Sequence, residues 1–208
     1  MVDENKEKLT ETKGNLAAFG LSSWLKIAIM AAFALLLMLA VRVPIVPIAP
    51  FLTFDFAEVP ALILAFALGP WAGAAVVAIK CALYMVINFH PLELIGVPAN
   101  LITGLILVCS SSSLYNVARG EEFSYKRLCL AMLLGSLITV AVMLPINFCI
   151  YLLLRELFAE SVPMSMGSYL IGAVLPFNAV KCFLTCVVAG ICMRRLVHYL
   201  TGKSNDGR

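Results

Sequence analysis

The sequence predicts an all-α integral membrane protein, a bundle of six transmembrane helices with a Pro-rich outer lid loop between the first and the second. Three observations carry this. Of 208 residues, 62% are hydrophobic and 13% charged, whereas soluble domains are about 45–50% apolar; the mean hydropathy is +0.99. The apolar runs stay nearly charge-free over lengths that cross the ~30 Å hydrocarbon core. They are continuously apolar rather than alternating, which excludes a barrel and leaves helices to satisfy every backbone N–H and C=O in lipid. A soluble single core, a disordered chain and a disulfide scaffold are excluded with them. The net charge of +3 comes without a basic stripe of interleaved aromatics, so no nucleic-acid partner is expected. Seven cysteines, an odd number scattered through apolar stretches, read as small buried hydrophobes rather than bridges.

Residues 1–23 are a polar tail of mixed charge (Asp3, Glu4, Lys6, Glu7, Lys8, Glu11, Lys13). The basic-then-apolar order of a cleavable signal is missing, so the first span, 24–41, is expected to be retained. The next apolar run is too long for one crossing. Gly69, Pro70 and Gly73 interrupt it and divide it into helices near 56–68 and 71–88. Three further spans follow at 94–118, 128–154 and 169–200. The transmembrane domain is therefore 24–200, and 201–208 form a second polar tail. With six spans, Lys6, Lys8, Lys13, Arg119, Lys126, Arg127, Arg194, Arg195, Lys203 and Arg208 share one side, and Arg42 and Arg155 the other. Cytoplasmic segments hold the Lys/Arg excess, so both termini are expected to be cytoplasmic.

Between the first two spans, residues 43–60 hold Pro44, Pro47, Pro50 and Pro60 and cannot continue a helix. Apolar non-helical backbone is costly in lipid unless it is buried in protein or lines a cavity. It reads either as a lid over an outward-facing pocket or as an interfacial connector with Phe51, Phe54 and Phe56 at the headgroups. Asp55 and Glu58 read as caps at a helix start. His90 and Glu93 are too few for a metal site. The sequence holds no HExxH and no GxSxG pattern, and Ser110 to Ser113 read as packing residues, so no catalytic set is expected.

Ionisable groups inside spans are costly and mark candidate sites. Lys26 lies near a span end, where it can snorkel. Lys80 needs a partner, with Asp55 or Glu58 as candidates beside a ligand contact. Lys181 lies in LPFNAVKC, where Asn178 and Lys181, three residues apart, share a helix face. Asn147 stands in a similar phrase, LPINF, and reads either as a bridge between spans five and six or as part of the same polar set. Together these groups offer several donors and two amide acceptors in apolar surroundings. That chemistry suits a neutral, acceptor-rich heterocycle better than an inorganic cation.

The phrases VRVPIVPIAPFLTFDFAEVPALILAFALGPWAG, VAIKCAL, VPANLITG, LPINF and LPFNAVK resemble the riboflavin-binding membrane subunit (S component) of bacterial energy-coupling-factor (ECF) vitamin transporters, over about 41–196. The resemblance implies a six-helix substrate-binding domain in the bacterial cell membrane. It implies that Asn147, Asn178 and Lys181 hydrogen-bond the flavin ring while Phe51, Leu52 and Thr53 cover it, with riboflavin as transported ligand and no cofactor. It further implies a transmembrane coupling protein (T component) and two ABC-type ATPases as partners, with Ala28 and Ala32 on the docking face. Two positions depart from the family pattern: Cys182 stands where PFNxxKG has glycine, and Phe51 where a loop tyrosine is expected. The rival readings are an S component for another vitamin or flavin derivative, an intramembrane enzyme using Asp55, Glu58 and Lys80, and a scaffold assembled through Ala28 and Ala32.

Overall fold

The structure, a computed structural model, describes residues 20–47, 49, 52–90, 93–117, 124–157 and 165–200, with side chains to Arg195. Helix α1 (Leu21–Ala40) turns Ile27, Ala31, Ala34 and Met38 into the bundle, while Leu25, Ile29, Phe33 and Leu36 point outward. This is the apolar-all-round pattern of a helix that meets protein on one side and lipid on the other. The chain then turns extended at Val41. A short antiparallel ribbon follows, β1 (Val43–Pro44) against β2 (Thr53–Phe54), with Val43 opposite Phe54. The proline-rich stretch is thus non-helical, as its composition predicts.

Helix α2 (Glu58–Leu68) has 11 residues and reaches about 16 Å at 1.5 Å per residue. Gly69, at φ +103°, ends it in a conformation that only glycine adopts without strain. Pro70 then opens α3 (Pro70–Ile87) at the first helical position, where its missing N–H costs nothing. The expected division of the second apolar run is therefore present. The difference is that α2 spans only about half of the ~30 Å core, so among the described residues five helical segments have spanning length. Helix α2 packs against α1, α3, α4 (Glu93–Val117) and α6 (Leu175–Leu200) and buries Ala61, Leu62, Leu64, Ala65 and Phe66. Gly73 permits the close approach: a Cβ there would lie 2.5 Å from Ala65 Cβ and Val108 Cγ1 and 2.7 Å from the Ala61 carbonyl.

Helix α5 (Tyr125–Leu157) crosses with Pro145 inside it. It is followed by a π-helical stretch, Ser168–Val174, that runs into α6. The wide turn and Pro176 at the second position of α6 both loosen the backbone ladder where the polar phrase PFNAVK begins. Cys81 and Cys182 are buried, but Cys129 and Cys149 are exposed on the bundle exterior, and all seven are free thiols. Ser110 and Ser112 bond back to the Ile106 and Val108 carbonyls, as packing residues in an apolar helix do.

Candidate functional site

A cleft opens at the end of the bundle where the ribbon, the start of α2 and the first turns of α4 meet. Leu52, Thr53, Asn147, Asn178 and Lys181 all line it. Phe51 lies outside the described residues. Leu52 packs between two clusters, Val46, Phe54 and Phe177 on one side and Tyr151, Tyr169 and Val174 on the other, which fixes the ribbon against α5 and α6.

The two amides are held in the same way. Asn147 Nδ2 donates to the Met143 carbonyl at 2.9 Å, and Asn178 Nδ2 to the Val174 carbonyl, also at 2.9 Å. A carbonyl only accepts, so each amide must turn its NH2 end toward its own preceding turn. Each keeps one N–H and at least part of its Oδ1 capacity for the cleft. Tyr169, on the π-helical stretch, donates its hydroxyl to Asn147 Oδ1 at 3.3 Å and locks that orientation from the other side. In both places proline stands two residues before the asparagine.

A third such phrase is Pro98, Ala99, Asn100. Asn100 lines the same cleft, and its Oδ1 accepts from Lys181 Nζ at 2.6 Å. Taken alone PAN is a weak signal; the signal that finds Asn100 is the threefold recurrence of Pro-x-Asn at helix positions. Met38, Thr103 and Met143 complete the wall, with the Thr103 hydroxyl donating to the Ala99 carbonyl at 2.8 Å and so turned away from hydrogen bonding in the cleft.

Beneath the cleft lies a network of four buried charges. Lys80 Nζ donates to Glu58 Oε1 at 2.7 Å, with both side chains fully buried. This resolves the partner of Lys80 in favour of Glu58. Lys181 Nζ stands 3.7 Å from Glu58 Oε2 and 3.8 Å from Asp55 Oδ2. Spans five and six hold no carboxylate for Lys181; the counter-charges arrive instead from the start of α2. The cap reading of Asp55 holds in part, since Oδ1 accepts the Ala57 N–H at 2.9 Å. Glu58 is corrected: it turns inward to the lysines rather than capping. Burial opposes the charge of Asp55, but Lys181, Lys80 and the Ala57 N–H outweigh it and hold the carboxyl below its ordinary range. Lys181 has three N–H donors and gives one to Asn100, so donors remain for a ligand.

At the rim, Arg42 and Glu93 also line the cleft. Arg42 Nη2 bonds Glu93 Oε1 at 2.7 Å, and Tyr84 donates its hydroxyl to the same oxygen at 3.1 Å. Glu93 thus belongs to an ion pair. Fifty-one residues separate Arg42 from Glu93, which hid the pair in the sequence. Ala28 and Ala32 do not line the cleft and are exposed on the outer face of α1, while Ala31 and Ala34 of the same helix are buried.

A family model described as "ECF transporter, substrate-specific component" matches residues 25–192. The chain is 25% identical over 176 residues to the riboflavin transporter RibU of Staphylococcus aureus (strain TCH60), covering 84% of this chain and 89% of that one. It is 29% identical over 177 residues to the riboflavin transporter FmnP of Bacillus subtilis (strain 168), covering 82% and 89%. A solved S component of a bacterial ECF transporter shares the fold with a TM-score of 0.71 at 24% identity, over 86% of this chain and 97% of that one.

Proposed function

The chain belongs to the substrate-specific components of ECF transporters, a family of membrane transport subunits rather than enzymes, and from this premise we propose that it captures riboflavin for uptake. The observation that carries the reading is the convergence of Asn147, Asn178 and Lys181 on one cleft, in a chain whose relatives are named riboflavin transporters. The pyrimidine-like edge of a flavin presents carbonyl acceptors and an N–H. Two pinned amides and an ammonium match that edge, and the walls of Leu52, Met38, Met143 and Phe177 suit the fused rings. Leu52 and Thr53, at the start of the ribbon's second strand, form the cover. A thermal-shift series in detergent with riboflavin, thiamine, biotin and folate tests this: stabilisation by riboflavin alone is expected, and stabilisation by another vitamin instead sinks the assignment.

The protein works in the bacterial cell membrane with both tails, 1–23 and 201–208, on the cytoplasmic side. The distribution of Lys and Arg supports this orientation, and it turns the cleft, which lies beside the end of α1, to the outer face. Residues 24–200 form the substrate-binding domain. ATP hydrolysis belongs to partners, a T component and two ABC-type ATPases, since the chain has no G-x-x-x-x-G-K-[ST] phrase. The exposed Ala28 and Ala32 are the contact with the T component, because small residues four apart let helices approach closely. Ala28→Leu/Ala32→Leu is expected to abolish co-purification with the coupling protein while riboflavin still stabilises the isolated subunit. Undiminished co-purification would remove α1 from the interface.

A further inference from the structure

We propose that Asn100 is the positioning residue for Lys181: its amide oxygen holds the ammonium at the cleft, away from the carboxylates behind it, a role that rests on the riboflavin reading. Three acceptors face Lys181 Nζ: Asn100 Oδ1 at 2.6 Å, Glu58 Oε2 at 3.7 Å and Asp55 Oδ2 at 3.8 Å. A carboxylate is the stronger acceptor for an ammonium, yet both lie beyond the ~2.7–2.9 Å of a charge-assisted bond. The neutral amide wins by placement.

That placement is built from both sides. Lysine only donates, so Asn100 must turn its oxygen toward it; its Nδ2 faces Met38 Sδ at 4.0 Å. Asn100 stands on α4, which packs on α2, α3 and α5, and Lys181 on α6, which packs on α2 and α5. The bond therefore joins the two helices across the cleft that both residues line. Behind the lysine, Lys80 occupies Glu58 Oε1 at 2.7 Å, and the Ala57 N–H occupies Asp55 Oδ1 at 2.9 Å. Glu58 Oε2 is buried and, among the described residues, has no hydrogen-bond partner. It is the acceptor onto which Lys181 falls once Asn100 is removed. The ammonium then spends its donors on carboxylates and withdraws from the cleft. The ligand-free chain loses no stability by this, because an orphaned buried oxygen gains a partner.

The test is a riboflavin fluorescence titration of the full-length, detergent-purified chain, with thermal unfolding of the ligand-free protein beside it. Asn100→Leu, which keeps the bulk and loses the acceptor, is expected to weaken binding by about tenfold and to melt no lower than the wild type. Asn100→Asp restores an acceptor for Lys181 and is expected to bind within about threefold of the wild type. On a Lys181→Met background, Asn100→Leu is expected to cost less than about twofold, because the group it positions is gone. Should Asn100→Leu not fold, Asn100→Ala is read in its place; should Lys181→Met bind too weakly to titrate, the comparison of Asn100→Leu with Asn100→Asp decides. Asn100→Leu binding as the wild type does overturns the proposal. So does Asn100→Asp as weak as Asn100→Leu, a tenfold loss repeated without Lys181, or a ligand-free Asn100→Leu protein that melts well below the wild type. In each case the riboflavin reading stands, since the wild type still binds. A wild type that binds no riboflavin overturns both.

Discussion

Lys181→Met is expected to weaken riboflavin binding by at least about tenfold while the bundle still folds. Lys181 supplies a charged donor in the deep cleft, with one N–H on Asn100 at 2.6 Å. A hydrogen bond to a charged group contributes about 1.5–3 kcal/mol, and every 1.4 kcal/mol is about tenfold in affinity. The substitution also takes the ammonium away from Asp55, 3.8 Å from it, while Glu58 keeps Lys80, so a net negative charge is left beside a ring edge rich in carbonyl oxygens. Both effects run in the same direction. Fluorescence titration alongside gel filtration separates lost binding from lost folding. A monodisperse Lys181→Met protein that binds riboflavin as the wild type does would take this lysine out of the site.

The second large effect is on stability. Lys80→Met removes one half of a fully buried ion pair with 2.7 Å geometry and strands Glu58, whose Oε2 already lacks a hydrogen-bond partner. Breaking such a pair from one side costs about 3–5 kcal/mol, whereas replacing both members by apolar groups of similar size is often close to neutral. Glu58→Met/Lys80→Met is therefore expected to melt well above Lys80→Met, because Asp55 still compensates Lys181. Thermal unfolding in detergent checks this. A single variant as stable as the double one would show that the pair carries no such cost.

The fold was largely legible because its signals are local. Charge-free runs mark the helices, and Gly69 followed by Pro70 marks the break between α2 and α3. The packing around α2 was not legible, because an apolar run looks alike whether lipid or protein surrounds it. Here α1, α3, α4 and α6 pack against it. Of the site, Asn147, Asn178 and Lys181 stood out since polar groups inside spans are conspicuous. The network behind them did not. Lys80 and Glu58 are 22 residues apart, Asn100 and Lys181 are 81 apart, and neither helical periodicity nor charge counting pairs residues across a bundle. Asn100 alone carried a readable clue, as the third Pro-x-Asn phrase. In the seven cysteines the sequence misled: two are buried in the core, while Cys129 and Cys149 face outward, because a lipid-facing surface tolerates the same small apolar residues as a core.

Equilibrium titration of the detergent-purified, gel-filtered protein with riboflavin, followed by quenching of flavin fluorescence, tests the central claim most directly. Saturable quenching at one flavin per chain, with the ligand co-eluting with the protein, is the predicted result. A folded, monodisperse protein that leaves riboflavin fluorescence unchanged and elutes without flavin would contradict it.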